Sequence, residues 1–235
     1  MTVAAVILYA NPEGALADAQ GRPAVRRAVE SAWAGGATPI VVVSFDPDGG
    51  VASALAGSPA VLAEPAPTEA GPVGQIARGM QLAVDEVRET DGCLVWPGRM
   101  AWVDAETVTT LIEAHGPRRA TILRPSYAET LGWPALLPID LMPTLAQQGV
   151  ARMPDELIGD LAASGWPVDP IDTGDPGVVY DISTPLDSLP PFEGPREPVA
   201  GHAPEWGAAA AEMPDEAPLE GPSLAPYGQA SDEGD

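Results

Sequence analysis

Over the first 190 residues, short apolar runs alternate with longer stretches of helical periodicity, and this alternation restricts the fold more than any other feature. Residues 3–9 and 39–45 are rich in valine and isoleucine, too short for a buried helix, and apolar at successive positions, so they read as strands covered on both faces. Further strands are expected at 60–63, 93–96, 120–124, 135–137, 168–172 and 178–182. Between them, Pro23 suits a first helical position, and Val25, Val29, Ala32 and Trp33 share one face up to the stop Gly35-Gly36. Ile76, Met80, Val84 and Val87 mark a second amphipathic helix, Asp104 is a candidate N-cap for a third ending at His115, and 141–148 and 155–164 are expected to be helical. Buried strands separated by helices imply βαβ crossovers. The expectation is an α/β fold, a three-layer α/β/α sandwich with a mostly parallel sheet. Such sheets bind ligands beyond the carboxyl ends of their strands, so the loops after Tyr9, Phe45, Trp96 and Arg124 should hold the chemistry.

The composition changes near Pro190. The chain carries 34 acidic residues against 11 basic ones, all arginine, for a net charge of −23. From residue 192 onward there are 10 acids, one arginine and seven prolines, with no sustained apolar run. A segment of this kind cannot bury enough surface to offset the entropy of ordering it, so 191–235 is expected to be a disordered tail and 1–190 the domain. Within the tail, Trp206, Ala209, Ala210 and Met213 fall on one side of a possible short helix that would dock in a protein partner's groove; a solvated tail with no partner is the alternative.

The charge balance argues against binding nucleic acid or an anionic membrane through a basic surface. No apolar stretch approaches the roughly 20 residues of a membrane span, and no basic-then-apolar leader opens the chain, so a soluble, cytoplasmic protein is expected. Cys93 stands alone, which excludes an intramolecular disulfide, and with two scattered histidines it makes no Cys/His metal site.

Several segments, in order, resemble a known family. Residues 4–10, Ala-Ala-Val-Ile-Leu-Tyr-Ala, resemble its first strand. Gln20-Gly21-Arg22-Pro23 and Gly71-Pro72-Val73-Gly74 resemble its next two loops, each leading into a helix. Trp96-Pro97-Gly98-Arg99-Met100 resembles its Leu-Pro-Gly-Asp-Met segment. Leu131-Gly132-Trp133-Pro134 stands at its Arg-Gly-His-Pro, and 181–189 is similar to its terminal Asp-Ile-Asp-Thr-Pro-Glu-Asp-Leu. The family is that of the MobA-like nucleotidyltransferases, which transfer CMP or GMP onto molybdopterin. The resemblance implies a nucleoside triphosphate, CTP or GTP, bound with Mg²⁺ over the strand ends. It places Arg22 and Arg99 as catalytic cations, Ala10, Gly14, Gly71, Pro72 and Gly74 along the nucleotide, and Asp181 as the metal ligand.

The chain departs from that pattern where the chemistry is concentrated. Nucleotidyl transfer needs a held triphosphate, a metal ion on it and cations for the developing charge. The loop after Tyr9 has one glycine and two acids, Glu13 and Asp18, and no lysine exists to fill the family's signature position. Arg99 stands in the place of the metal-binding aspartate, although Mg²⁺ takes oxygen ligands. Trp133 replaces a histidine. Alternatively, Arg99 contacts the triphosphate directly with its planar fork, or the metal is held by Asp181 with Asp104 or another nearby acid. Two readings follow: a nucleotidyltransferase or nucleotide-binding descendant with weak or lost catalysis, and a non-catalytic scaffold or regulatory protein acting through its surface and tail. Simpler roles also stand beside the sharper ones. Asp104 reads as a helix cap, Asp46-Pro47-Asp48-Gly49-Gly50 as a turn, Cys93 as a buried small hydrophobe, His115 as a partner of the helix dipole or of nothing specific, and Asp181 equally as a turn-capping residue.

Overall fold

The structure, a computed structural model, describes residues 2–194. Apart from 191–194, the expected tail lies outside the described residues, as does the helix expected around Trp206.

Strand β1 (Thr2–Leu8) lies inside the sheet, and its residues from Val3 to Ile7 are all at most 2% exposed. That two-sided burial is why the run shows no polar alternation. β2 (Ile40–Val43) and β4 (Thr90–Pro97) pair with it in parallel on either side, and β3 (Ala60–Ala63) pairs in parallel with β2 at the edge. Beyond β4 comes β7 (Ala135–Pro138), antiparallel both to β4 and to β5 (Ile122–Tyr127). β5 also carries the short β6 (Thr130–Leu131), antiparallel, and β8 (Val168–Asp172), parallel.

Seven α-helices connect and cover these strands among the described residues: α1 (Pro12–Leu16), α2 (Ala24–Ala34), α3 (Gly50–Leu55), α4 (Gly71–Glu86), α5 (Ala105–His115), α6 (Met142–Leu145) and α7 (Pro154–Ala163). α4 crosses β1 and β2 with α6 and α7 beside it, while α2 and α5 pack on each other to form the other layer. Two glycines set the closeness of these contacts. A β-carbon at Gly79 of α4 would stand 2.2 Å from Val6, and one at Gly35 after α2 would stand 2.4 Å from Val108 of α5. The expected three-layer α/β/α architecture is therefore observed.

The helix expected from Asp104 forms with that residue as its cap, the Asp104 carboxylate accepting from the Glu106 amide at 2.9 Å. Asp46 does the same from its turn, accepting from the amides of Val51 and Ala52 at the start of α3. Cys93 is fully buried, and burial pushes its thiol pKa up. His115 is also fully buried, and burial lowers its pKa, which favours the neutral ring over a cation serving the helix dipole. The strand expected at 178–182 does not form. Instead Pro176–Val178 makes a 3₁₀ turn, because Asp175 accepts from the Gly177 amide at 2.7 Å and Gly177 sits where any side chain would strike the Trp102 backbone. Local Asp-Pro-Gly turn chemistry outweighs the β-branched pair that follows. Among the described residues, no helix is long and apolar enough to cross a membrane.

Candidate functional site

From β1 the chain proceeds outward to β2 and β3, then returns through α4 to β4 on the opposite flank of β1. The strand order thus reverses beside β1, and a cleft lies over the carboxyl ends of β1 and β4 where their loops leave the sheet. Its three compartments share Tyr9 and Ala10. One, of about 250 Å³, lies between Leu8, Pro97 and Arg99 on one side and Pro72 and Met153 on the other. A second, of about 620 Å³, is bounded by Phe45, the 64–68 loop, Gly71 and Gln75. The third, of about 230 Å³, reaches Asn11, Gly14, Gly98 and Ile182.

The loop after β1 is closed into a short helix instead of being left open as a cradle. Asn11, in extended conformation, caps α1 by accepting from the Gly14 amide at 2.8 Å, and Glu13 sits in the first turn. Tyr9 packs against Gly98, linking the two loops, and is only 8% exposed. Among the described residues its hydroxyl has no hydrogen-bond partner, and burial drives the phenol pKa upward.

On the wall opposite, Gly71 and Pro72 border the cleft as expected. Gly71 has φ +60°, and a β-carbon there would stand 2.1 Å from the Val150 carbonyl oxygen, so glycine is required. Gly74 does not line these compartments; a β-carbon there would stand 2.4 Å from that of Ala70, which is a packing role. Gln75 is the wall's organising side chain. Its amide accepts from the Ala66 N–H at 2.7 Å and donates to the Ala66 carbonyl at 2.9 Å, holding the 64–68 loop as a neighbouring strand would.

At the end of β4, Arg99 and Asp181 come together, with Nε 3.8 Å from Oδ2. The Ile182 amide donates to the Arg99 carbonyl at 2.9 Å, and the Trp102 indole N–H donates to the carbonyls of Asp181 and Thr184. Both segments are therefore fixed to each other through the backbone. Asp181 Oδ1 accepts from the amide and hydroxyl of Ser183, the capped turn that its sequence allows. This donor set does not fit Mg²⁺. One carboxylate faces a guanidinium, and among the described residues no group of three or more His, Cys, Asp or Glu side chains stands together as metal ligands.

Arg22 is not among the residues lining these compartments. Its guanidinium pairs with Glu30 at 2.7 Å, as does that of Arg26 at 2.8 Å. Trp133 does lie near Arg99 and Asp181, in a side cavity of about 210 Å³. Arg124 stacks on its ring at 4.5 Å, donates to the Gly132 carbonyl at 2.8 Å and reaches Asp155 at 3.2 Å. Burial lowers the Arg124 pKa and Asp155 opposes that shift. Sequence reasoning assigned no role to Tyr9, Gln75 or Arg124. Position at a strand end was the available signal for Tyr9 and Arg124, and nothing local marked Gln75.

Comparison with solved structures finds the same fold at low sequence identity. A nucleotidyl transferase from Methanothermobacter thermautotroptrophicus gives a TM-score of 0.64 at 18% identity, covering 79% of this chain and 94% of its own. The 2-C-methyl-D-erythritol 4-phosphate cytidylyltransferase of Thermus thermophilus gives 0.59 at 18% identity, covering 80% and 95%. The protein Rv0371c of Mycobacterium tuberculosis, solved in complex with manganese, gives 0.56 at 18% identity, covering 74% and 89%. Comparison with curated proteins gives no match. The family model described as "MobA-like NTP transferase domain" matches residues 13–161, more than half of the chain. With the switch-point cleft and this match together, the chain belongs to the MobA-like NTP transferase domain family.

Proposed function

We propose that this chain is a nucleotide-binding member of its family in which nucleotidyl transfer to a phosphate acceptor, such as molybdopterin, is weak or lost. The observation that carries the reading is the Arg99–Asp181 pair at the end of β4. A transfer reaction has an acceptor phosphate oxygen attack the α-phosphorus while pyrophosphate leaves, and charge must be neutralised on both. Here a cation stands where an oxygen ligand would be needed, and the nearest carboxylate already faces it. The opposite wall, with Gly71 and Pro72 at the start of α4 and the loop held by Gln75, remains a formed surface for a base and ribose. A cytidylyltransferase among the structural relatives supports CTP as a nucleotide to try, alongside GTP.

A thermal-shift panel of CTP and GTP, with and without Mg²⁺, tests this on wild type and on Arg99→Asp. Wild type should be stabilised by nucleotide to the same extent with and without Mg²⁺ and should release no pyrophosphate with an acceptor present. Arg99→Asp should acquire a response to the metal. Mg²⁺-dependent stabilisation and pyrophosphate release by wild type would show that catalysis is retained. No shift with any nucleotide would favour the scaffold reading.

A further inference from the structure

Building on the nucleotide-binding reading, we infer that the cleft selects a nucleoside monophosphate, bound without a metal ion, over the corresponding triphosphate. Charge is the first reason. Among the described residues lining the three compartments, Arg99 is the one cation and Glu64 the one anion, so the lining as a whole is neutral. Each phosphoryl group beyond the first adds negative charge that this lining does not meet, inside a protein whose own net charge is −23.

The state of Arg99 is the second reason. Its side chain is 53% exposed, and Asp181, its ion partner, stands at 3.8 Å, outside hydrogen-bonding distance. The guanidinium fork can therefore take one phosphate in bidentate fashion, with Asp181 as the weak anion it leaves. Beyond Arg99 the wall is mostly apolar, made by Leu8, Val43, Pro72, Pro97, Met153 and Pro154, with Tyr9 and Gln75 as its other polar side chains. Desolvating further phosphates against these side chains has a cost that no second cation there offsets, whereas a base or ribose face loses little.

Tyr9 supplies an independent observation. Its hydroxyl is buried and, among the described residues, unpartnered, and Tyr9 lines all three compartments. Buried polar groups are rarely left unsatisfied, and a site whose ligand completes the hydrogen bond explains one that is.

Isothermal titration of the full chain in EDTA, with CMP, CTP and cytidine and with GMP, GTP and guanosine, tests the inference. The monophosphate of the preferred base should bind at least as tightly as its triphosphate, and added Mg²⁺ should change neither affinity by more than about twofold. Arg99→Gln should weaken the monophosphate about tenfold and leave the nucleoside unchanged, since it removes one charge-assisted contact. A triphosphate bound about tenfold more tightly than the monophosphate, or any requirement for Mg²⁺, would overturn the inference and leave nucleotide binding standing. Monophosphate affinity unchanged in Arg99→Gln would overturn it as well. If no compound of either base binds, both this inference and the reading beneath it fall.

Discussion

Tyr9 and Gly98 are in such close contact that a β-carbon at position 98 would stand 2.2 Å from Cε1 of the tyrosine ring. The two residues directly follow β1 and β4, the neighbouring strands whose loops frame the cleft. Gly98→Ala should therefore force the ring or the loop to move, with a loss of about 1–3 kcal/mol in urea unfolding, the usual range for overpacking. In a Tyr9→Leu background most of that loss should vanish, and a double-mutant cycle would measure the coupling. Additive losses would show that the contact is relieved elsewhere.

Tyr9→Phe should behave in the opposite way in the absence of ligand. It removes a hydroxyl that is buried without a partner and keeps the ring that packs on Gly98. Urea unfolding should show unchanged stability or a gain of up to about 1 kcal/mol. A clear loss would mean that the hydroxyl is satisfied in solution.

Arg124 is a buried cation held by a ring face, a carbonyl and a carboxylate. Arg124→Lys keeps the charge but loses the planar fork, so the Gly132 carbonyl is left without its donor. A loss of about 2 kcal/mol is expected, and Asp155→Asn should cost much less, because the Asp155 side chain is 65% exposed. Equal losses from the two variants would assign the stability to the ion pair instead.

Glu30 carries the pH dependence that is easiest to isolate. A hydrogen bond from Arg26, with smaller contributions from Arg22, holds its pKa below the ordinary 4.5. A lowered folded-state pKa means that the stabilisation is present above the unfolded pKa and is lost as pH falls through the folded one. Glu30→Gln should cost about 0.5 kcal/mol at pH 7, given the exposure of the pair, and nothing once the pH is well below 4.5. The cost should also shrink in high salt. A penalty that persists at low pH would point to packing instead of charge.

The sheet was legible because its strands are buried on both faces, which leaves unbroken apolar runs such as 3–9 and 40–43. Asp104 and Asp46 could be read as capping and turn residues because those roles are settled within a few residues. α1 was not legible, since five residues capped by Asn11 present no periodicity. The 178–182 segment misled because two valines outweighed the Asp-Pro-Gly that actually shapes it. At the site, the sequence order placed Arg99 at a strand end, but only the fold brings Asp181 across to it and turns Arg22 toward Glu30. Gln75 could not have been found locally, because its partner is the backbone of Ala66, whose own side chain says nothing about it.

That pair of hydrogen bonds has a kinetic consequence. Because Gln75 fixes the 64–68 loop as the chain folds, the largest compartment of the cleft has a wall that is already ordered when a ligand arrives. Association then involves no loop closure, and its rate should follow diffusion and orientation alone. Gln75→Ala would transfer that ordering from folding to binding, so that the same ligand would meet a wall it must first assemble.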